Sequence, residues 1–310
     1  MRVAPAWDDP DAVLQLIRGA GPYLPLARYA ASDAEKRATG SASGTFVPPW
    51  FRIDVATGGR VHVDGGEVLL HNPRFIDAAA QVFGRGAVIE PTTVYVNVMG
   101  PCDYPFVAHT DVPVFCGRSR ADTPVWLLHL MHTSGLFADE RIAMATAVSW
   151  FFDGPGGDFY YWPDGPEGEA AVERAPFGNV AIVADNERTF HGVAPVGEQG
   201  APSPMDLTLD AAIVHRHGGW VVTDGGREVI AYADATVRIT TSWKCEVFAD
   251  DAERDRVRSG GTDLGLDEVI DRFAADVGIA RPADPLADPT WIDALSAAYR
   301  KPVVRIPRGS

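Results

Sequence analysis

Hydrophobic and polar positions divide this chain into three regions with different periods. Residues 1–91 mix strand-like alternation with helical spacing, residues 92–248 are dominated by strand-like apolar runs, and residues 249–310 are helical in pattern. We therefore expect a mainly β protein with flanking helices, folded as one domain over residues 1–310, with the middle region as its core.

The flanking helices are predicted from apolar side chains spaced three and four residues apart. In the first region, residues 11–18 are helix-like, and residues 73–83 show a helical pattern that Gly84 closes. Three segments with charged outer faces follow the core: residues 250–256, 266–273 and 291–299. Helices of this kind buttress a barrel or form a homodimer contact, and both roles stay open here.

Composition narrows the class of protein. The chain has 310 residues, 46% of them hydrophobic, which suffices for a sizeable core. Its net charge of -15 argues against nucleic acid as a partner, because phosphate binding draws on Lys and Arg. No run approaches the roughly 20 apolar residues of a membrane span, no signal-peptide pattern is present, and three scattered cysteines form no pairing or zinc motif. We expect a cytoplasmic enzyme that acts on a small molecule and does not bind membranes.

Two imidazoles and one carboxylate stand out as candidate metal ligands. His109 and Asp111 lie two residues apart in a strand-like context, so their side chains point to the same face and can bind one ion together. His191, at the start of another apolar stretch, supplies a second imidazole. Two His and one carboxylate suit non-haem Fe(II) and leave coordination positions open for dioxygen and a co-substrate. This pattern points to an oxygenase.

A second His-x-Asp pair, His62 and Asp64, has a simpler interpretation. Asp64 opens an Asp-Gly-Gly sequence between two strand-like runs, and hairpin turn chemistry explains it without a metal. A chain with 8 His is expected to contain about one such pair by chance. We therefore predict that His62 binds no metal.

The surroundings of the first pair resemble the Fe(II)- and 2-oxoglutarate-dependent dioxygenase superfamily, which is built on a double-stranded β-helix. Residues 92–101 look like the family's first core strand, and the His-x-Asp pair follows in the expected place. Residues 145–161 resemble the strands and Gly-Gly turn along its active site, and residues 175–184 resemble the strand leading to its distal His. The resemblance implies a jelly-roll, cupin-like core, with Fe(II) bound by His109, Asp111 and His191.

A fifth segment, residues 237–243, resembles the family's final core strand. There the family places an Arg, and two residues later a Ser or Thr, against the distal carboxylate of 2-oxoglutarate, which implies Arg238 and Thr240. Arg238 lies farther beyond His191 than is usual, and an inserted hairpin at residues 220–230 would account for the gap. Two other arginines compete for this role: Arg188 and Arg216.

The first core strand carries further candidates for binding the co-substrate. Some family members place an Asn and a Tyr two residues apart there, and the Tyr touches 2-oxoglutarate. In this chain Tyr95, Asn97 and Met99 share one strand face, which makes Tyr95 and Asn97 candidates. Met99 stands where such members have the Tyr, and Tyr95 and Met99 can equally be core residues.

Several other residues near these segments have structural interpretations. His129 and His132 do not fit one face of a simple strand together, so we interpret them as structural residues or as partners of the metal ligands. Residues 160–162 either line a substrate pocket or pack in the barrel, and aromatic residues more often pack. Residues 185–187 are predicted to form the turn before His191.

The activity implied by the resemblance is oxidation of a small molecule, coupled to conversion of 2-oxoglutarate and dioxygen into succinate and carbon dioxide; hydroxylation is the default outcome, and desaturation, cyclisation and epoxidation stay open. Enzymes of this kind often serve specialised-metabolite or amino-acid pathways. Two other classes remain. An Fe(II) oxidase in the manner of isopenicillin N synthase would consume oxygen without forming succinate. A cupin-like binding module would do neither.

Overall fold

The computed structural model describes residues 1–29, 47–84, 86–204 and 206–307, and it is mainly β with helices around the sheets. The described strands form three antiparallel sheets. The strands of the large sheet are β1 (Arg2–Val3), β2 (Leu24–Pro25), β3 (Trp50–Thr57), β4 (Arg60–Val61), β5 (Val88–Met99), β7 (Val114–Phe115), β8 (Arg141–Phe151), β11 (Ala181–Ala184) and β16 (Arg238–Phe248). Their central order is β1-β11-β8-β16-β5-β3-β2, with β4 beside β3 and β7 beside β8.

Two smaller sheets complete the β structure. The first has the order β10-β9-β12-β6 and consists of β6 (Phe106–His109), β9 (Phe159–Trp162), β10 (Ala171–Glu173) and β12 (Phe190–Val193). The second is a meander of β13 (Ala212–Arg216), β14 (Gly219–Asp224) and β15 (Arg227–Ala233). This meander is inserted between β12 and β16, so the hairpin expected at residues 220–230 is confirmed.

The described helices lie before, within and after the β core. They are α1 (Pro10–Gly19), α2 (Glu67–Leu70), α3 (Pro73–Phe83), α4 (Val125–Ser134), α5 (Asp251–Arg258), α6 (Leu266–Val277) and α7 (Pro289–Ala298). Asp side chains cap three of them by accepting a backbone N–H of the first turn: Asp9 for α1, Asp250 for α5 and Asp288 for α7. The mainly β fold with flanking helices and a jelly-roll core is therefore confirmed.

The large sheet has two different faces because side chains alternate along its strands. On β16, the odd-numbered residues Ile239, Trp243 and Cys245 join the main hydrophobic core with α3. The even-numbered residues of the same strand, from Arg238 to Lys244, line an internal cavity. Neighbouring β5 repeats the pattern, and the sheet thus packs on helices with one face while the other encloses polar groups.

The C-terminal helices buttress the barrel, which is the first of the two expected roles. Phe273 of α6 and Trp291 and Leu295 of α7 form one buried cluster with Leu127 and Leu128 of α4. Because α4 also contributes side chains to the cavity wall, the C-terminal helices support that wall from behind. Among the described residues, no helix is both long and apolar enough to cross a membrane.

One local expectation is wrong. Asp64, Gly65 and Gly66 do not connect two strands, because they are followed directly by α2. The hairpin turn lies earlier, at Gly58 and Gly59 between β3 and β4. The error arose because the segment after Gly66 is apolar but too short to distinguish a strand from one helical turn.

The packing of Trp243 gives a first testable prediction. Its indole is fully buried, packs against Phe75 and donates a 2.7 Å hydrogen bond to the carbonyl of Leu70. Trp243→Ala should lower the free energy of unfolding by about 3–5 kcal/mol, because it opens a cavity and orphans the carbonyl. The measurement is urea unfolding, with Val229→Ala on the exposed surface of β15 as control, expected within about 0.5 kcal/mol of wild type. A loss below about 1 kcal/mol in Trp243→Ala would contradict the packing described.

Candidate functional site

A cavity of about 670 Å³ lies between the large sheet and the four-stranded sheet. Its walls are the inward-facing positions of β5, β8 and β16 on one side and residues of β6 and β12 on the other. Residues before β3, in α4 and near the C-terminus close the remaining sides. All seven residues predicted for the site line this cavity: Tyr95, Asn97, His109, Asp111, His191, Arg238 and Thr240.

The pairing of β6 with β12 brings two imidazoles together. His109 and His191 lie directly opposite each other in the register of these antiparallel strands, so their side chains project to the same side. Their ring centroids are 4.4 Å apart. The two His are 82 positions apart in the chain, and strand pairing alone makes them neighbours.

Each imidazole is oriented by a backbone carbonyl. His109 Nδ1 lies 2.9 Å from the carbonyl oxygen of Val107, and His191 Nδ1 lies 3.1 Å from that of Thr189. A carbonyl accepts only, so Nδ1 carries the proton in both rings and Nε2 keeps its lone pair. Burial lowers the pKa of both His, that of His109 to about 3, which keeps both rings neutral at physiological pH. Two neutral Nε2 atoms are therefore available as ligands.

Asp111 adds a carboxylate oxygen to this pair. Its Oδ1 lies 3.9 Å from His191 Nε2, and candidate ligand atoms of His109, Asp111 and His191 all lie within 4.8 Å of one another. Its Oδ2 accepts from Lys244 Nζ at 2.7 Å and from the Thr146 hydroxyl at 3.2 Å. Burial alone would raise the pKa of Asp111, but the charge and hydrogen bond of Lys244 together with the two neighbouring imidazoles outweigh it and lower the pKa. The carboxylate is thus ionised, with one oxygen held by protein donors and the other facing the imidazoles.

Arg238 is buried in the same cavity without an acidic partner in hydrogen-bonding distance. The residue is 1% exposed, its Nε donates to the carbonyl of Gly157 at 2.8 Å, and its Nη2 has no partner among the described residues. Gly157 is required for this approach, because a Cβ there would lie 2.7 Å from Arg238 Cδ. Burial lowers the pKa of Arg238 to about 9, and the weaker opposing attraction comes from Asp158, a carboxylate that itself pairs with Arg174.

The remaining candidates lie around this guanidinium on β5 and β16. Thr240 pairs with Asn97 across the two strands, and the buried Oδ1 of Asn97 has no hydrogen-bond partner among the described residues. Tyr95, next along the same face, stacks under Arg52 at 3.7 Å from ring centroid to guanidinium carbon. Tyr95, Asn97 and Thr240 thus form part of one wall of the cavity.

The competing residues lie outside the cavity. Arg188 is exposed and pairs with Asp185, and Arg216 on β13 is exposed and pairs with Glu228. His62 is exposed after β4. None of these three lines the cavity.

Sequence reasoning missed two lysines of the cavity. Lys244 lies on β16 an even number of residues from Arg238 and Thr240, so its side chain is on the same face of the strand. Continuing the alternation four residues beyond Thr240 would have identified it. Lys301 lies beyond α7 in a segment without regular structure, and its spacing carries no signal. His129 and His132 lie on α4, and His129 lines the cavity, which fits the expected supporting role.

The turn before His191 is confirmed and has an additional role. Residues 185–188 form it through hydrogen bonds to the carbonyl of Asp185. Glu187 in this turn is 2% exposed and pairs with Arg141 at 2.6 Å. Because the backbone N–H of Asp111 donates to the carbonyl of Asn186, the turn also ties the segment after β6 to the start of β12. The aromatic residues Tyr160 and Trp162 pack in a separate buried cluster, as expected.

Comparison with known proteins shows that the chain is similar to several solved structures. No protein-family model and no curated protein sequence matches the chain. A prolyl-4-hydroxylase from Pseudomonas putida is 12% identical, with 79% of this chain and 91% of that chain covered and a TM-score of 0.35. A prolyl hydroxylase from Trichoplax adhaerens, in complex with a hypoxia inducible factor peptide fragment, is 12% identical, with coverage of 82% and 85% and a TM-score of 0.39.

A third similar structure is HygX from Streptomyces hygroscopicus with nickel, 2-oxoglutarate and hygromycin B bound. It is 8% identical, with 79% of this chain and 82% of that chain covered and a TM-score of 0.38. The structures that the chain resembles thus include two prolyl hydroxylases and a protein with 2-oxoglutarate bound, as the sequence led us to expect. Identities of 8–12% and TM-scores of 0.35–0.39 leave the activity to be inferred from the side chains of the site.

The buried imidazole of His129 gives a prediction about pH. Burial, together with the charge of Lys301, lowers its pKa from 6.5 to about 3. Because the pKa of His129 is higher in the unfolded chain, the unfolded chain binds a proton at His129 first as the pH falls. The contribution of His129 to stability is therefore full above pH 6.5 and is lost as the pH falls toward 3. His129→Gln should reduce the loss of unfolding free energy between pH 7 and pH 5 by up to roughly 2 kcal/mol.

The measurement is urea unfolding of chelator-treated wild type and variant at pH 7, 6 and 5. The unfolding free energy of wild type should fall more steeply with decreasing pH than that of His129→Gln. Curves that stay parallel would show that His129 is not held neutral in the folded protein.

Proposed function

We propose that this protein is an Fe(II)- and 2-oxoglutarate-dependent oxygenase that oxidises, by hydroxylation, a small-molecule substrate. The observation that supports this most strongly is the presence in one cavity of a His-Asp-His cluster and a buried arginine without a counter-ion. The first feature suits Fe(II), and the second suits a dicarboxylate. Neither feature is explained by packing alone.

The three candidate ligands fit Fe(II) in donor type and protonation state. His109 and His191 offer neutral Nε2 atoms because their Nδ1 protons are given to backbone carbonyls. Asp111 offers Oδ1, while Lys244 and Thr146 hold its other oxygen and restrict it to binding through one atom. Three protein ligands leave positions open for a co-substrate and dioxygen.

The Arg238 end of the cavity fits the distal carboxylate of 2-oxoglutarate. A guanidinium can bind both oxygens of a carboxylate, and the free Nη2 of Arg238 is available for that contact. The Thr240 hydroxyl is on the same strand face as a further donor, and the side chain of Asn97 supplies polar atoms opposite it. When bound, Fe(II) and 2-oxoglutarate supply the oxidation of substrate by dioxygen, coupled to decarboxylation of 2-oxoglutarate to succinate.

The protein's own groups then have separable roles. His109, Asp111 and His191 hold the metal; Arg238 and Thr240 orient the co-substrate. The apolar part of the cavity wall, which includes Phe106 and Phe159, excludes water from the reacting centre. The oxidase and binding-module alternatives require no tight binding of 2-oxoglutarate through Arg238, so that binding distinguishes the classes.

The metal assignment predicts loss of iron from three single variants. Loss of a residue that only supports a metal ligand weakens metal binding roughly 10- to 100-fold. His109→Ala, Asp111→Ala and His191→Ala should each weaken Fe(II) binding by more than that, because each removes a direct ligand. Metal content after anaerobic dialysis is the measurement. His62→Ala, a surface variant, should retain iron like wild type. Full iron occupancy in His191→Ala would refute the assignment.

The co-substrate assignment predicts a selective defect in Arg238→Met. Loss of a desolvated partner for a carboxylate costs about 2–5 kcal/mol, so the Kd for 2-oxoglutarate should rise by roughly 30-fold to several thousand-fold while metal binding persists. Calorimetry with Mn(II) in place of Fe(II) measures both. Arg188→Met and Arg216→Met are matched controls because both arginines are exposed and ion-paired outside the cavity. A change below about threefold in Arg238→Met would place the anchor elsewhere.

A further inference from the structure

The charge of the cavity lining is opposite in sign to that of the whole protein. The chain carries a net charge of -15, yet five cationic side chains and only three carboxylates line the cavity. The cations are Arg52, Arg120, Arg238, Lys244 and Lys301. A local excess of positive charge in an acidic protein marks a surface that receives anions.

The three carboxylates of the lining are already paired. Asp54 accepts from Arg52 at 2.7 Å, Asp111 accepts from Lys244 at 2.7 Å, and Glu187 pairs with an arginine behind the wall at 2.6 Å. Arg238 and Lys301 are cations of the lining that pair with none of these three carboxylates. On the proposed function, Fe(II) brings two positive charges and 2-oxoglutarate brings two negative charges, so their sum leaves the excess unchanged.

Lys301 is a cation of the lining with no carboxylate within ion-pair distance among the described residues. Its Nζ lies 3.4 Å from His129 Nδ1 and 5.6 Å from the ring centroid of Phe190. Burial lowers the pKa of Lys301 to about 8, against the attraction of Asp111. The neutral His129 can accept only one of the three ammonium protons, so two donors remain for a ligand.

The C-terminal segment holds Lys301 in the cavity wall, near Phe190 at the start of β12. Val304 and Ile306 pack in the buried cluster that contains Phe190. A Cβ on Gly192 would lie only 2.9 Å from Ile306 Cδ1. The absence of a side chain at Gly192, next to His191, therefore allows Ile306 to approach this closely. Lys301 is thereby held at the cavity by the packing of Tyr299 before it and of Val304 and Ile306 after it.

We propose that Lys301, supported by His129, binds an anionic group of the substrate, and that the substrate is a small organic acid bearing a carboxylate or phosphate. This inference rests on the proposed function, because it assigns Arg238 to the co-substrate and leaves Lys301 for the substrate. The anionic group would anchor one end of the substrate, while the apolar side chains of the cavity contact the carbon skeleton. Lys301 would thus determine specificity by excluding neutral and cationic analogues.

The test compares acids with their neutral amides on protein saturated with Mn(II) and 2-oxoglutarate. The probes are phenylacetate, 3-phenylpropanoate and octanoate, each beside its primary amide, and phenyl phosphate is added to distinguish a phosphate ligand from a carboxylate. Binding is followed by calorimetry. Wild type should bind at least one of the acids or the phosphate about tenfold or more tightly than the amides, since a hydrogen bond to a charged group is lost in the amide.

Lys301→Gln should reduce that preference to less than about twofold, and Lys301→Arg should restore part of it. Arg300→Gln is the matched control, because it removes an exposed positive charge from the adjacent position of the same segment. In all three variants the Kd for Mn(II) and 2-oxoglutarate should stay within about twofold of wild type. A lysine that only secured the C-terminal segment would change stability without changing the preference for acids.

The outcomes separate this inference from the proposed function. If loaded wild type shows no preference for any anionic probe, including the case in which none binds, the inference about Lys301 is wrong. A preference that persists in Lys301→Gln also contradicts it. If wild type fails to bind Mn(II) or 2-oxoglutarate at all, the proposed function fails, whatever the acids do.

Discussion

A guanidinium enclosed without a counter-ion is the constraint on which the rest of this structure depends. Arg238 is 1% exposed, and its hydrogen-bond partners are a backbone carbonyl and the sulfur of Met99, neither of which carries a charge. Desolvation of such a group is costly, and only an anion offsets it fully. The side chain cannot turn out to solvent, because Ile239 and Trp243 of the same strand are packed in the core on the opposite face. The fold thus keeps a buried cation that packing alone would not favour, which is the observation behind its proposed role in binding an anion.

In the His-Asp-His cluster, neighbouring groups pair with some atoms of the three side chains and leave the others free for a metal. Carbonyls take the Nδ1 protons of His109 and His191, and Lys244 takes one oxygen of Asp111. The atoms left over converge on one point between the two sheets. These supporting contacts come from strand pairing and from a turn, so the geometry is set before any ligand binds.

Local spacing predicts the residues of this site well and its surroundings less well. The spacing of His109 and Asp111 predicted that they would share one side, and they do although β6 ends at His109 and Asp111 follows it, whereas Arg238 and Thr240 were implied by the family resemblance and lie on one face of β16. The role of Lys301 was not predictable, because its position depends on the contact of Ile306 with Gly192, more than 100 residues away in the chain.

Two other differences have local causes. The short apolar segment after Gly66 forms a helical turn, since four residues carry too little periodicity to separate a helix from a strand. The three-residue spacing of His129 and His132 is a helical spacing, and applying it would have placed both on α4. In contrast, the long strands β5, β8 and β16 and the inserted meander were recognisable, because each carries its own alternation or turn.

The central claim is that one cavity binds a metal at His109, Asp111 and His191 and binds 2-oxoglutarate between that metal and Arg238. A crystal structure of the protein with Mn(II) and 2-oxoglutarate under anaerobic conditions tests it most directly. The account predicts one metal ion in contact with Nε2 of both His and Oδ1 of Asp111, and a distal carboxylate hydrogen-bonded to Nη2 of Arg238. A metal bound elsewhere, or a 2-oxoglutarate whose distal carboxylate contacts Lys244 or Lys301 instead of Arg238, would contradict it.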